Sequence, residues 1–180
     1  MPATSQSSYV SKQAFSDLYE TTHTSVYRYV FGLVSGHAQE AEDITAETFI
    51  KAWDARQRFT GDEHDAINWL FTIAKRIVID RWRKQKIRPT TVDIDSAIVA
   101  AADASPEERA SIKEQSAYLL TLLHELPEDK REMLVLRYHL NWSINRIADY
   151  LNKKPNTISV NIRRTLDDLK RLWQFNQEGK

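Results

Sequence analysis

The apolar residues of this chain recur at helical spacing nearly from end to end, and this restricts its fold more than any other feature. No apolar–polar alternation lasts long enough to predict a β-strand. The 180 residues include only four glycines and five prolines, so long helices are expected and glycine-rich phosphate loops are excluded. The sequence therefore predicts an all-α protein, with room for one domain or two small ones.

Turn signals divide this pattern into separate helices. The break at Ser35-Gly36 ends the first of them, and a polar turn from Arg58 to Asp65 precedes the third. Tyr19 and Trp69 are among the apolar positions expected to face inward. Before the C-terminal motif, the spacing predicts helices over about Ser11–Leu33, Gln39–Arg56, Asp65–Lys86, Ser105–Leu126 and Glu128–Leu140.

The charges suggest two helical domains, 1–88 and 105–180, joined by a flexible acidic linker over 89–104. Residues 75–88 hold seven basic side chains against one acid, whereas residues 89–116 hold six acids against two basic residues. The second domain opens with a strong helix start. Ser105 can cap the helix, Pro106 suits its first position and Glu108 completes a capping box.

Several function classes are excluded by composition. Cysteine is absent, which removes disulfides, thiol catalysis and zinc ribbons and fits a reducing cytoplasm. The N-terminus lacks the apolar core of a signal peptide, and no run suits membrane insertion, so a soluble cytoplasmic protein is expected. The five histidines are scattered without metal-ligand spacing, and Asp43 and Glu47 have no evident pocket. We expect no enzyme activity, metal or cofactor.

The second helix combines a ridge of carboxylates with an aromatic face. At about 100° per residue, its acids fall in one sector, while Phe49, Ile50 and Trp53 fall in the next. The ridge is broken only by Lys51, which suits docking against a basic partner. Its acidic members are Glu40, Asp43, Glu47 and Asp54.

The third helix carries basic residues between two aromatic ones, Phe59 before it and Trp82 near its end. Such a surface suits single-stranded or partly melted DNA, because bases stack on rings while cations hold the backbone. A solvated basic face is the alternative interpretation. The residues expected on the exposed side are Lys75, Arg76, Asp80 and Arg83.

Residues Ser143 to Leu169 have the spacing of a helix-turn-helix. Ser143 can cap the first helix, Asn152 suits a left-handed turn and Pro155 can open the second helix. A buried stripe is expected at Ile158, Ile162, Leu166, Leu169 and Trp173. The side chains expected to face DNA are Lys154, Asn156, Thr157, Ser159, Val160, Arg163 and Arg164. A plain helical hairpin is the alternative.

Together these segments resemble the extracytoplasmic-function sigma factors of the sigma-70 superfamily. The resemblance is collinear from about Phe15 to Leu172. It rests on Phe15 with Leu18-Tyr19, Val26-Tyr27-Arg28-Tyr29, AEDITAETFIKAW, Arg58-Phe59, Trp69-Leu70 with Ile73-Ala74, Asp80 with Arg83, Leu126-Pro127 and the helix-turn-helix.

The resemblance implies a role for each surface. The first domain would bind the clamp helices of the polymerase largest subunit through Glu40, Asp43, Glu47, Phe49, Ile50 and Asp54. It would recognise and open the minus-ten promoter element through Phe59, Asp62, Lys75, Arg76, Asp80 and Arg83. The linker would thread the active-site cleft and RNA exit path. The second domain would read the minus-thirty-five element and bind the polymerase flap, and an anti-sigma protein would regulate both domains.

Some positions depart from the family pattern. Ala46 stands where Gln is usual, Asn145 and Arg146 where Glu is usual, and Asn152 where Gly is common. Ser159 and Asn161 occupy recognition-helix positions often filled by Lys and Arg. A competing hypothesis is a repressor or activator that binds operators through the same helix-turn-helix. It would need a dimerisation or sensor domain, which the sequence does not indicate, and it leaves the acidic helix unexplained.

Overall fold

The computed structural model describes residues 9–84 and 105–178, and within them every regular element is helical. The all-α prediction is therefore confirmed. A 3₁₀ turn follows the second helix at Arg56–Arg58, and a π-helical segment follows the fifth at Val135–His139. The helices are α1 (Lys12–Leu33), α2 (Ala38–Ala55), α3 (Glu63–Lys84), α4 (Pro106–Glu125), α5 (Glu128–Leu134), α6 (Ile144–Tyr150) and α7 (Pro155–Glu178).

Packing divides the chain into two units. Among the described residues, the first contains 9–30 and 39–84, and the second contains 31–38 and 105–178. The predicted linker over 89–104 and the predicted end of the first domain at residue 88 lie outside the described residues. That division of the chain into 1–88 and 105–180 stays a prediction.

The first unit buries one face of each of its three helices. Tyr29 of α1 stacks on Phe71 of α3, with ring centroids 4.1 Å apart and planes within 3°. Tyr19 was expected in this core but is exposed, because its ring covers Phe49 from outside at 4.7 Å. Trp69 is only half-buried. Other buried side chains of the unit include Leu18, Val26, Ile44, Leu70, Ala74 and Ile77.

The break between α1 and α2 lies where the sequence predicts it. Ser35 and Gly36 both have left-handed backbone, with φ of 54° and 85°. The N–H of Gly36 donates to the carbonyl of Phe31 at 2.9 Å, a closing bond typical of helix C-termini. Glycine takes this conformation without steric cost, which explains its place at the end of the turn.

The second unit opens with the predicted capping box. The Ser105 hydroxyl accepts from the N–H of Glu108 at 3.2 Å, and the Glu108 carboxylate accepts from the N–H of Ser105 at 2.8 Å. Hydrogen bonds to the Glu108 carboxylate, first from the Ser105 backbone and then from the Ser105 side chain, lower the pKa of Glu108. The core that follows is built from Leu122, Met133, Leu136, Ile147, Ile158, Ile162 and Leu169.

Arg131 of α5 is a buried cation that closes the end of α4. Its guanidinium donates to the carbonyl oxygens of Leu123, His124 and Leu126 at the C-terminal end of α4, and to that of Leu33. Burial lowers the pKa of Arg131 to about 10, although the charge of Glu128 opposes this shift. Arg131 thereby links two helices that the Pro127 turn separates.

The helix predicted over Glu128–Leu140 is not a single α-helix. It changes after Leu134 into the π-helical segment, which is closed by a bond from the N–H of Leu140 to the carbonyl of Val135 at 3.0 Å. This wider turn contains one more residue than an α-helical turn. Tyr138 projects from it and is exposed.

Candidate functional site

The outward side of α2 forms the acidic surface, which we define as Glu40, Asp43, Glu47, Ile50 and Asp54. Asp43 and Asp54 are exposed, while Glu40 and Glu47 are half-buried. Ile50 is 63% exposed among these carboxylates. An exposed apolar side chain rimmed by charges is a feature of docking sites. The opposite side of the helix is buried at Ala41, Ile44, Thr45, Thr48, Phe49 and Ala52.

Glu47 differs from the other acids because it is already paired. It lies 3.1 Å from the Lys51 ammonium and 3.0 Å from the Arg81 guanidinium of α3. Partial burial raises the pKa of Glu47, but hydrogen bonds from Arg81 and Lys51, with their charges, outweigh it, and the net shift is downward. No local sequence signal marks Arg81 as this partner, because it lies 34 residues from Glu47 along the chain.

Phe49 was predicted as a contact residue, but the structure does not place its ring on the surface. The side chain is 5% exposed and belongs to an aromatic cluster. Its ring lies 4.7 Å from that of Tyr19 and 6.5 Å from that of Phe15, both edge-on. Phe49 therefore lies beneath the acidic surface and supports it, rather than forming part of the exposed contact set that the sequence predicts.

The basic surface of α3 comprises Lys75, Arg76, Asp80 and Arg83. Arg76, Asp80 and Arg83 are exposed, whereas Lys75 is half-buried. Asp80 lies one turn from Arg76, so the surface alternates in sign rather than being uniformly basic. Two exposed guanidinium groups remain to hold an anionic ligand.

The loop before α3 is less open than the sequence suggests. Phe59 was expected to stack on bases, but it is 7% exposed between Tyr9 at 5.7 Å and Trp69 at 4.8 Å. Asp62 accepts from the N–H of Asp65 at 2.9 Å, and Asp65 accepts from the N–H of Asp62 at 3.3 Å. This reciprocal pair caps α3, so the Asp62 carboxylate is engaged within the protein.

The helix-turn-helix is formed by α6 and α7, as predicted. Ser143 caps α6 by accepting from the N–H of Arg146 at 3.2 Å. Asn152 has the expected left-handed backbone, with φ of 50°. The recognition surface lies at the start of α7, where all members are exposed except the half-buried Val160: Lys154, Asn156, Thr157, Ser159, Val160, Arg163 and Arg164.

The buried stripe of α7 differs from the predicted one at two positions. Leu166 is 38% exposed, and Thr165 is buried instead. The Thr165 hydroxyl donates to the carbonyl of Asn161 at 2.8 Å, so this hydroxyl keeps a hydrogen-bond partner although it is buried. Trp173 is half-buried, with its ring 5.1 Å from that of Tyr118.

Arg146 stands where the family usually has an acid, and it stacks on a ring. Its guanidinium carbon lies 3.9 Å from the centroid of the Trp142 ring. Burial lowers the pKa of Arg146. The cation–π contact holds this positive charge beside the start of α6, where a helix otherwise favours an acid.

No group of three or more metal-ligating side chains occurs among residues 9–84 and 105–178. Within the same ranges, no helix has the length and apolar character needed to cross a bilayer.

Two family models match the chain in the order of these surfaces. The model described as sigma-70 region 2 matches residues 18–87, and the model described as sigma-70, region 4 matches residues 116–169. The chain is 30% identical over 159 residues to the ECF RNA polymerase sigma factor BldN of Streptomyces coelicolor, spanning 88% of this chain and 60% of BldN. It is 28% identical over 171 residues to the ECF RNA polymerase sigma factor SigX of Bacillus subtilis, spanning 93% and 87%. The chain belongs to the extracytoplasmic-function sigma factors of the sigma-70 family.

Solved structures show the same fold. The sigma factor RpoE of Bartonella quintana, crystallised with the anti-sigma factor NepR, matches this sigma factor with a TM-score of 0.64 at 20% identity, covering 90% of this chain and 98% of RpoE. CnrH, solved with the cytosolic domain of CnrY, matches with a TM-score of 0.61 at 21% identity, covering 91% and 90%. Within this sigma factor, the acidic and basic surfaces fall in the region 2 match, and the recognition surface falls in the region 4 match.

Proposed function

We propose that this sigma factor binds core RNA polymerase and directs it to promoters, which it recognises and opens. The observation that carries this proposal is the collinear match of both sigma regions to a chain whose exposed surfaces differ in charge. An acidic surface on α2 and a basic-polar surface on α7 suit different partners, a protein and duplex DNA respectively.

Core polymerase would dock on the acidic surface. Asp43 and Asp54 offer exposed carboxylates, and Ile50 offers an apolar centre between them. This combination of an apolar contact with a charged rim is typical of specific protein interfaces. We assign the clamp helices of the largest subunit as the partner on the family resemblance, with Glu40 and Glu47 as outer members of the surface.

The basic surface of α3 would hold the opened minus-ten strand. Arg76 and Arg83 are exposed and can pair with phosphates, while Lys75 and Asp80 border them. Phe59 and Asp62 can join this site only if the loop before α3 rearranges, since Phe59 is buried and Asp62 caps the helix.

Replacing Arg76 and Arg83 together by Ala is expected to slow promoter opening by about tenfold or more, with less effect on closed-complex formation. Each lost phosphate contact removes electrostatic attraction to the separated strand. Permanganate footprinting would measure opening, and a filter assay would measure total binding. Lys12→Ala, an exposed cation on α1, is the control and should behave like the wild type. Equal losses in opening and binding would contradict the strand-holding role.

The recognition surface of α7 would read the minus-thirty-five element as duplex. Asn156 can pair with adenine, and Arg163 or Arg164 can pair with guanine or phosphate. Residues at the start of the second helix are those that reach base edges in this motif. The second unit would also bind the polymerase flap, and the linker would pass through the active-site cleft and RNA exit path.

Arg163→Ala is expected to weaken holoenzyme binding to promoter duplex by about tenfold, equivalent to ~1.4 kcal/mol. If Arg163 contacts phosphate, the slope of log affinity against log salt concentration should also become shallower by about one. Arg171→Ala on the same helix is the matched control, because Arg171 is paired with Asp168 at 2.5 Å. A titration of labelled duplex at several salt concentrations measures both quantities, and identical behaviour of the two variants would argue against the assigned contact.

Further partners follow from the relatives. RpoE and CnrH were each solved with a bound protein, and for RpoE this is an anti-sigma factor. We propose that an anti-sigma protein regulates this sigma factor. We also propose that the sigma factor acts in the cytoplasm with polymerase and performs no catalysis of its own.

In vitro transcription with purified core polymerase and genomic fragments tests this function. Promoter-specific transcripts that require both core and this chain would support it. Tight, specific binding to DNA as a dimer without core, and no transcripts with core, would instead favour an operator-binding regulator.

A further inference from the structure

The residues before α1 cover the loop that precedes α3. We call Tyr9–Ser11 the strap. The Tyr9 ring lies 5.7 Å from the Phe59 ring at an angle of 43°, and the Val10 carbonyl accepts from the Nε of Arg56 at 3.1 Å. The Val10 side chain itself is exposed, so Val10 contributes to this attachment through its backbone oxygen.

The anchor for the strap is held firmly. Arg56 donates through Nη1 to the carbonyl of Trp53 at 2.6 Å, and its guanidinium lies 3.5 Å from the centre of the Trp53 ring. At the other end, the Ser11 hydroxyl accepts from the N–H of Ala14 at 3.1 Å and fixes the start of α1. The strap is thus a short bridge between two ordered points, with Tyr9 at its outer end.

Beneath Tyr9 lies an aromatic pair that resembles a stacking platform. Phe59 and Trp69 have ring centroids 4.8 Å apart, and Trp69 stays half-buried. The exposed Arg76 and Arg83 follow Trp69 on α3 at seven-residue spacing, which places all three on one side of the helix. Aromatic rings beside cations bind unpaired bases of any sequence. The ring that covers this platform belongs to a side chain with the same flat shape as a base.

We propose that Tyr9 occupies the position beside Phe59 that an unpaired DNA base would take, so that the strap closes this position until an opened strand displaces it. The proposal rests on the proposed strand-binding function of α3. It explains why a residue expected to stack on DNA is buried in the free chain. An aromatic pair contributes a factor of about two to ten, which sets how strongly the strap can compete with a base.

The test measures binding of a short fluorescein-labelled single strand of mixed sequence to the full-length chain with purified core polymerase. Tyr9→Ala is expected to tighten binding by about two- to tenfold. Tyr9→Phe retains the ring, and Val10→Ala retains the backbone oxygen, so both should match the wild type. The wild type and all three variants should bind a fully paired duplex with equal affinity.

Each other result overturns the proposal. If Tyr9→Ala binds the strand no more tightly, the strap does not compete with it. If Tyr9→Ala lowers the melting temperature strongly by circular dichroism, the ring belongs to the core and is not displaceable. If Arg76→Ala weakens strand binding while Tyr9→Ala changes nothing, only the strap fails. If Arg76→Ala has no effect either, the strand-binding function fails with it.

Discussion

Charge reversal at both Asp43 and Asp54, to Arg, is expected to weaken the complex with core RNA polymerase by about 100-fold or more. Both carboxylates are exposed on the acidic surface. Like charges brought together across an interface cost several kcal/mol, and each 1.4 kcal/mol is about tenfold in affinity. Surface plasmon resonance with immobilised core would measure the change.

The structure decides which acids to reverse. Reversing Glu47 would also break its ion pair with Arg81 of α3, so a loss of affinity for polymerase could not be separated from a loss of stability. Asp54 avoids this problem. Reversing Glu20 to Lys, at an exposed acid on α1, changes net charge by the same amount per site and should leave affinity near that of the wild type. If the Glu20 variant loses affinity as much per site as the double variant does, net charge rather than the acidic surface governs docking.

Replacing Arg131 by Ala is expected to destabilise the second unit by roughly 3 kcal/mol or more. The side chain is buried, and its loss removes the guanidinium hydrogen bonds to the carbonyls of Leu33, Leu123, His124 and Leu126. An unsatisfied buried acceptor costs about 1–3 kcal/mol. In a domain of this size, such a change lowers the melting temperature by on the order of 10–20 °C.

Hydrogen–deuterium exchange would localise this effect. Peptides from α4 to α7 should lose protection in Arg131→Ala, while peptides from α2 and α3 serve as an internal reference. Lys130→Ala is the neighbouring control, because Lys130 is half-buried and forms only a 3.5 Å ion pair with Asp168. Such a pair is worth about 0–1 kcal/mol. Equal exchange in both variants would show that Arg131 does not hold α4 to α5.

Features encoded within a few residues could be predicted from the sequence. The Ser105–Glu108 capping box, the Ser35-Gly36 break and the left-handed Asn152 each depend on neighbours along the chain, and each occurs as expected. Local hydrogen bonds and backbone preference determine these features, so no knowledge of the tertiary fold was needed.

Features that depend on distant contacts could not be predicted. Helical spacing gives the direction of Phe49 and Phe59 but not whether Tyr19 or Tyr9 covers them. Helical spacing predicts Glu47 as an unpaired docking acid, whereas the structure pairs it with Arg81 of α3. Most side chains of the recognition surface face outward as predicted, because that surface follows from helical periodicity alone.

The π-helical segment has a consequence for how this chain tolerates change. A π-helical turn closes its hydrogen bonds over one residue more than an α-helical turn, so shortening it by one residue allows ordinary α-helical winding. Deleting the exposed Tyr138 should therefore lower the melting temperature less than deleting the buried Leu136 of the same segment. The left-handed Asn141, with φ of 55°, then redirects the chain into the helix-turn-helix. Val135 and Leu136 are buried, so the π-helical segment fixes the starting point of this redirection in the core of the second unit.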